Sequence, residues 1–168
     1  MKTTVINTRR RPGIAETAFS YVNSPIGIVE VGATGDAVLS LKFVQEMRKD
    51  AETNPMADRA SAAVGEYFDG TLRQFDLPIL LQGRDFQICV WLQLLKVCYG
   101  TTASYGEIAT GIGNAPAARA VGLANGKNPI SLIVPCHRII GSNGSLTGYG
   151  GGLWRKEWLL KHERAIGG

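Results

Sequence analysis

Between residues 18 and 45 apolar and polar side chains alternate. Phe19, Tyr21 and Ile26 lead into Ile28-Val29-Glu30-Val31 and, past Gly35-Asp36, into Val38-Leu39-Ser40-Leu41-Lys42-Phe43. A period of two puts every second residue on one face. The stretch therefore predicts antiparallel strands turning at Gly35-Asp36, with one face buried. Residues 56–69 shift to a helical spacing that Gly70 ends. Phe75-Asp76-Leu77-Pro78-Ile79 predicts a short strand. Because Pro78 has no amide proton to give to a ladder, that strand is expected at the edge of the sheet.

A different texture begins at Gln82-Gly83-Arg84. Residues 85–97 are apolar around more than one face, which predicts a central helix closed off by Gly100. Ser104 and Glu107 have the spacing of a capping box and start a short helix over about 105–111. The turn Gly111-Ile112-Gly113-Asn114 leads to a second helix from about Pro116 to Asn125-Gly126. Two short helices around a Gly-containing turn form a helix-turn-helix candidate. Ile130 to Val134 reads as a strand-like run ending at Pro135, and Leu153–His162 as an amphipathic helix. The fold class is α+β, with an N-terminal domain over 1–82 and a mainly helical domain over 83–168.

Length and composition narrow the classes. The 168 residues are 45% hydrophobic and 19% charged, enough to bury a core in one medium or two small domains. No apolar run approaches the ~18 residues of a membrane-spanning helix, so no membrane partner is expected. Cys89, Cys98 and Cys136 are an odd set without a secretory pattern; a reducing cytoplasm or nucleus is expected rather than a disulfide framework. Cys89 and Cys98 read as buried members of the apolar helix. With two histidines and no paired metal-ligand spacing, neither zinc nor a cofactor is expected. A monomer is the default.

The net charge of +4 conceals a split. Residues 1–12 carry four bases and no acid, and read as a basic tail. Residues 13–80 carry five bases and ten acids, and residues 81–168 carry nine bases and four acids. No acid lies between Glu107 and Glu157, while Arg119, Lys127, Arg138, Arg155 and Lys156 do, so this half is the one expected to meet a polyanion. Within it, residues 115–126 are small and low in relief, with Arg119 as the one charge. Such a helix suits close approach to a nucleic-acid groove with one inserting Arg. It equally suits tight packing in a core with Arg119 exposed, which is the more frequent arrangement.

Cys136 stands apart from the other cysteines. It follows the rigid Pro135 and precedes His137 and Arg138, cations that are expected to depress its pKa below the free value of ~8.5. Neighbours on a turn seldom face each other. His137 is thus expected to act through a water or to be held by a carboxylate, for which Glu163 is available.

The chain from Phe86 to Glu163 closely resembles the O6-alkylguanine-DNA alkyltransferases, the methylated-DNA–protein-cysteine methyltransferases. The resemblance rests on Ser104-Tyr105, Ala118-Arg119-Ala120-Val121-Gly122, Asn128, Ile133-Val134-Pro135-Cys136-His137-Arg138, Gly148-Tyr149 and Lys156-Glu157-Trp158-Leu159-Leu160, collinear and correctly spaced. Ser24-Pro25-Ile26-Gly27 and the hairpin after it look like the family's ribonuclease-H-like domain. The resemblance implies a ribonuclease-H-like N-terminal domain and a winged helix-turn-helix C-terminal domain. It also implies a stoichiometric transfer of an alkyl group from guanine O6, and from thymine O4, to Cys136. By the match, His137 is a water-mediated base, Glu163 orients it, Tyr105 donates a proton at guanine N3, and Asn128 supports the cysteine loop. Arg119 is the finger that fills the stack after base flipping, with Ala118, Gly122 and Tyr105 on DNA in the minor groove. Ile139, Tyr149, Gly150 and Ser131 would contact the base. Gly150 replaces a Ser and Ser131 a Pro found in some relatives, which removes one side-chain contact and alters the pocket width. Two other classes compete. A non-catalytic lesion-binding relative would lack the cysteine, and a cysteine hydrolase would need an independent histidine and an oxyanion loop.

Overall fold

The computed structural model describes residues 3–6 and 16–167. The chain forms two compact units, Met1–Gln82 and Gly83–Gly168. The architecture is α+β, a sheet with one helix in the first unit and a mainly helical second unit. Among the described residues no helix is long and apolar enough to cross a membrane.

In the first unit β2 (Ala18–Ser24), β3 (Gly27–Ala33) and β4 (Val38–Val44) form the antiparallel meander that the alternation predicts. Register places Tyr21 opposite Glu30 and Glu30 opposite Lys42. Glu30, buried in mid-sheet, accepts from Tyr21 at 2.9 Å and from Arg48 Nε at 3.0 Å, so its charge is compensated on the spot. Burial alone would raise the Glu30 pKa, but hydrogen bonds from Arg48 and Tyr21 hold it below the ordinary value. Helix α1 (Pro55–Phe68) buries Ala57, Ala60, Val64 and Tyr67, one stripe at helical spacing, against β2 and β3. Asn54 caps it, accepting from the Ala57 amide at 2.8 Å.

Two expectations fail here. Strand β5 (Pro78–Leu80) is not at the edge. It lies between β4 and β1 (Thr4–Ile6), parallel to both. Pro78 is the first residue of its strand, where a missing donor is tolerated. Within the supposed basic tail, Thr4–Ile6 is a β-strand, and Thr3 Oγ1 donates to Phe75 O at 2.8 Å. The Thr-Val-Ile triplet has the β-branched composition of a strand. Arg9, Arg10 and Arg11 lie outside the described residues.

In the second unit α2 (Asp85–Leu94), α3 (Tyr105–Gly111) and α4 (Ala118–Gly126) pack together, α2 meeting α4 through buried Trp91, whose Nε1 donates to Ala124 O at 2.9 Å. Helix α2 ends three residues earlier than its apolar pattern predicts, as Lys96 and Val97 turn in i→i+3 fashion. Cys98 therefore lies in the following turn rather than in a helix. Cys98 and Cys89 are both exposed, against expectation, because Cys89 falls on the outward side of α2. Residues 130–134 are not a strand either. Asn128 takes up Val134 O (2.7 Å) and the Ile130 amide (3.0 Å), and Leu132 adopts a φ of 68°. With these groups satisfied locally, no ladder is required. Pairing falls instead to β6 (Ala103–Ser104) and β7 (Ile139–Ile140), parallel to each other. Helix α5 (Leu153–His162) closes the unit.

The capping box at α3 forms reciprocally: the Glu107 amide donates to Ser104 Oγ at 3.1 Å and the Ser104 amide to Glu107 Oε2 at 2.6 Å. It fixes the first turn of α3, on which Tyr105 stands. Ser104→Ala is expected to destabilise the protein by about 1 kcal/mol in urea titration.

Candidate active site

Cys136, His137 and Arg138 make one 3-10 turn after Pro135, and all three are buried. The turn is held from several sides. Asn128 carries the preceding Val134 carbonyl, and Asn125 on α4 donates from Nδ2 to the Cys136 carbonyl at 3.3 Å. In the sequence Asn125 reads only as the end of a helix, and its inward phase on α4 is the one signal of this further contact.

Behind the cysteine lies a cluster of charge. His137 Nε2 meets Glu163 Oε1 at 2.7 Å, both side chains fully buried. Arg138 donates to the same carboxylate from Nε (2.8 Å) and Nη2 (3.0 Å), and from Nη1 to Val97 O (2.7 Å). The Gly100 amide adds a contact to Glu163 Oε2 at 3.3 Å. Gly100 has a φ of +75°, and a Cβ there would stand 3.1 Å from Glu163 O, so a glycine is what allows this approach. Burial alone would raise the Glu163 pKa, but hydrogen bonds from His137 and Arg138, with the charge of the guanidinium, hold it far below the usual carboxylate range. For His137 burial wins over the carboxylate, and its pKa is lowered. A proton on Nε2 satisfies the ionised Glu163 and leaves Nδ1 as an acceptor. Nδ1 is buried with no hydrogen-bond partner among the described residues.

Arg138 was expected on the DNA face and beside the thiol. At 7% exposure, with its donors committed to Glu163 and Val97, it serves neither purpose. Cys136 is 5% exposed, and burial pushes its thiol up, opposite to the expected depression. Asn128, Lys156 and Ser131 pull it the other way.

Lys156 departs from the expectation that it faces phosphate, for its exposure is 0%. Its Nζ donates to Ile139 O and, at 2.7 Å, to Thr147 O, and lies 5.8 Å from the Tyr105 ring centroid. Burial pulls its pKa down to about 8, with Cys136 opposing. The signal was present in the helical phase. Lys156, Leu159, Leu160 and Glu163 follow at i, i+3, i+4 and i+7, so the lysine falls on the apolar stripe of α5.

The remaining predicted residues arrange around this core. Tyr105 Oη donates to Thr147 O at 2.9 Å, sharing that carbonyl with Lys156. Tyr149 has its hydroxyl buried without a hydrogen-bond partner among the described residues. Burial first, then charge on Cys136, raise its pKa well above the ordinary value. Ser131 is half-buried and Gly150 exposed. Ile139 is buried, with its amide donated to Cys136 O and its carbonyl accepting from Lys156. On α4, Arg119 is exposed, Ala118 is half-buried, and Gly122 backs onto the Tyr105 ring. Of the five cations between Glu107 and Glu157, Arg119, Lys127 and the half-buried Arg155 reach the surface.

Residues 85–165 match the family model described as 6-O-methylguanine DNA methyltransferase, DNA binding domain. A methylated-DNA–protein-cysteine methyltransferase from Mycobacterium tuberculosis H37Rv is 48% identical over 152 residues, covering 88% of this chain and 92% of that protein. One from Methanosarcina acetivorans is 43% identical, covering 86% of this chain and 97% of that protein. The crystal structure of Mycobacterium tuberculosis OGT in complex with DNA superposes with a TM-score of 0.81 at 47% identity, covering 88% of this chain and 93% of that one. The match to the helical unit and the cluster at Cys136 define a DNA-binding methyltransferase. More particularly, the chain belongs to the methylated-DNA–protein-cysteine methyltransferase family.

Three outcomes test the cluster. Glu163→Gln leaves Arg138 buried without its counter-charge and is expected to cost about 3–5 kcal/mol in urea titration. In the native protein the lowered His137 pKa lets the unfolded chain bind more protons, so stability falls as pH drops below the ordinary 6.5. The lowered Glu163 pKa adds a second loss as pH drops below 4.5, which the variant lacks. Lys156→Met, made with Cys89 and Cys98 as Ser, removes a positive charge beside the sulfur. The pH profile of Cys136 alkylation by iodoacetamide is expected to move to higher pH, with several-fold slower reaction at neutral pH; an unmoved profile would contradict the role of the lysine.

Proposed function

We propose that this protein transfers the methyl or larger alkyl group from O6 of guanine, and from O4 of thymine, in duplex DNA to Cys136 Sγ, and that each molecule acts once. The observation that carries this reading is the buried Cys136 turn with His137 locked on an ionised Glu163 and Lys156 beside it. A hydrolase would require a second histidine at the sulfur and a set of oxyanion donors. Here the Cys136 and Ile139 amides are already donated within the protein.

The sulfur reacts as thiolate. In the free protein burial favours the thiol, and Lys156, Asn128 and Ser131 reduce the cost of losing its proton. The free Nδ1 lone pair of His137 receives that proton through a water, and Glu163 stabilises the imidazolium that results. The S–C bond then forms as the C–O6 bond breaks, and its electron pair stays with guanine. Tyr105, released from Thr147 O, gives a proton at N3, so that guanine leaves neutral. Lys156, which donates to the same carbonyl, places a cation near the phenolate that this transfer leaves on Tyr105. The thioether product has no leaving group that water can displace, and this makes the reaction stoichiometric.

Reaching Cys136 requires the base to leave the stack at a cost of a few kcal/mol. Arg119, exposed on α4, fills the gap from the minor groove, with Ala118 and Gly122 allowing close approach. The pocket for the flipped base is bounded by Tyr149, Gly150, Ser131 and Ile139, and Asn128 keeps its floor in place. The protein acts as a monomer in a reducing intracellular compartment, where the thiol persists.

Intact-protein mass spectrometry after mixing with an O6-methylguanine duplex tests the proposal. The expected result is the gain of one methyl group at Cys136, saturating at about one equivalent of DNA. Cys136→Ala is expected to abolish transfer and to keep DNA binding. Repeated turnover, or methyl on another residue, would overturn the mechanism.

A further inference from the structure

Residues 115–126 read in the sequence as a low-relief surface broken only by Arg119. The structure departs from that at one position. Val121, Ala124 and Asn125 face inward on α4, while Arg119, Ala120, Leu123, Gly126 and Lys127 face solvent. Leu123 is 70% exposed, more than Met47, Phe86, Leu92, Leu153 or Trp154, the other exposed large apolar residues among those described. With Ala120 and Gly126 beside it on the helix surface, its side chain stands clear of its surroundings.

Arg119, Leu123 and Lys127 follow one another at i, i+4 and i+8. Arg119 and Leu123 lie one turn apart on the same side of α4 and Lys127 caps its C-terminal end, so the two cations are about 12 Å apart along the axis. An apolar side chain is thus flanked by a cation one turn away in each direction, on a helix with no acid in its neighbourhood in sequence. A second copy of this chain docking symmetrically on the same line would bring like charges together. A nucleic-acid groove matches it instead. Its walls are anionic, and sugar and base edges between them offer apolar surface.

We propose that Leu123 is a groove-contacting residue that supplies a salt-independent share of the affinity for duplex DNA. This rests on the reading of α4 as the helix that faces DNA. Arg119 enters the stack, Leu123 lies one turn further along in the groove beside it, and Lys127 reaches a phosphate. The division of labour has a physical signature. A phosphate contact releases counterions and so responds to salt, whereas burial of a leucine side chain against sugars and base edges does not.

Fluorescence anisotropy with a labelled duplex, between 50 and 200 mM salt, separates the two. Leu123→Ala is expected to weaken binding about five- to tenfold by the same factor at every salt concentration, so that log K against log salt shifts without changing slope. Lys127→Ala is expected to make that slope shallower by about 0.9. Leu123→Met is expected to restore most of the lost affinity. Since Leu123 and Lys127 are both exposed, the melting temperature should not change with any of the three. Unaltered affinity in Leu123→Ala, or a loss that varies with salt, overturns the proposal. Altered sedimentation of Leu123→Ala with undiminished DNA binding also overturns it, and assigns the residue to self-association. Failure of the DNA reading itself would be seen separately, as an absence of salt-dependent duplex binding in the unsubstituted protein.

Discussion

Everything around Cys136 depends on keeping one carboxylate ionised out of contact with water. Taking Glu163 from water costs several kcal/mol, and the cost is met only by donors of good geometry on every side. Two of these donors, His137 and Arg138, are the residues directly after Cys136. Cys136 is therefore positioned by the compensation of a charge it never touches. The same guanidinium reaches Val97 and the same carboxylate takes up the Gly100 amide. In this way the end of α2, the cysteine turn and the end of α5 are joined at one point.

A second buried charge organises the other side of the pocket. Lys156 gathers the Ile139 and Thr147 carbonyls, and Thr147 in turn receives Tyr105. The glycine-rich stretch between 141 and 152 has little regular structure and few apolar side chains to pack. It acquires a definite path from cationic and phenolic donors instead. Such pinning leaves Cys136 between an anion-centred cluster and a cation, with burial the largest influence on its thiol and Lys156 opposing it. Burial and Lys156 act on the thiol in opposite directions, and neither is visible from the residues that flank the cysteine in sequence.

Local chemistry was the most legible part of the chain. The alternation of β2 to β4, the Asn54 and Ser104 caps and the turn between α3 and α4 all reside in a few neighbouring residues, and the structure contains them. What failed involved partners distant in sequence. Pro78 indicated an edge strand because its missing donor is a local fact, whereas β1, its neighbour in the sheet, is set by pairing across the whole unit. Ile130 to Val134 has strand composition, but Asn128 satisfies its backbone before a ladder can. Lys156 and Arg138 counted as surface charge because their types usually are. Only the phase of α5, and the two bonds to Glu163, reveal that they are interior. The pairing of His137 with Glu163 directly behind Cys136 was indicated by family resemblance joined to local order. Lys156 was legible only in the phase of α5, and the role of Asn125 required the third dimension.

The parallel pairing of β1 with β5 has a consequence for how the first unit is made. Thr3 and Phe75 bond across 72 positions, and no short hairpin links the two strands. The meander of β2 to β4 can collapse as soon as it leaves the ribosome, since each of its contacts is near in sequence. Its flank at β4 stays open until residues 78–80 have been synthesised, and β1 waits longer still for its partner. Non-local pairing of this kind slows folding and prolongs the exposure of unpaired strand edges. The helix between them, α1, is in place to cover the sheet face early, but it cannot cover that edge. The opening strand is thus the last to find its place, and during synthesis the sheet is completed from its middle outward.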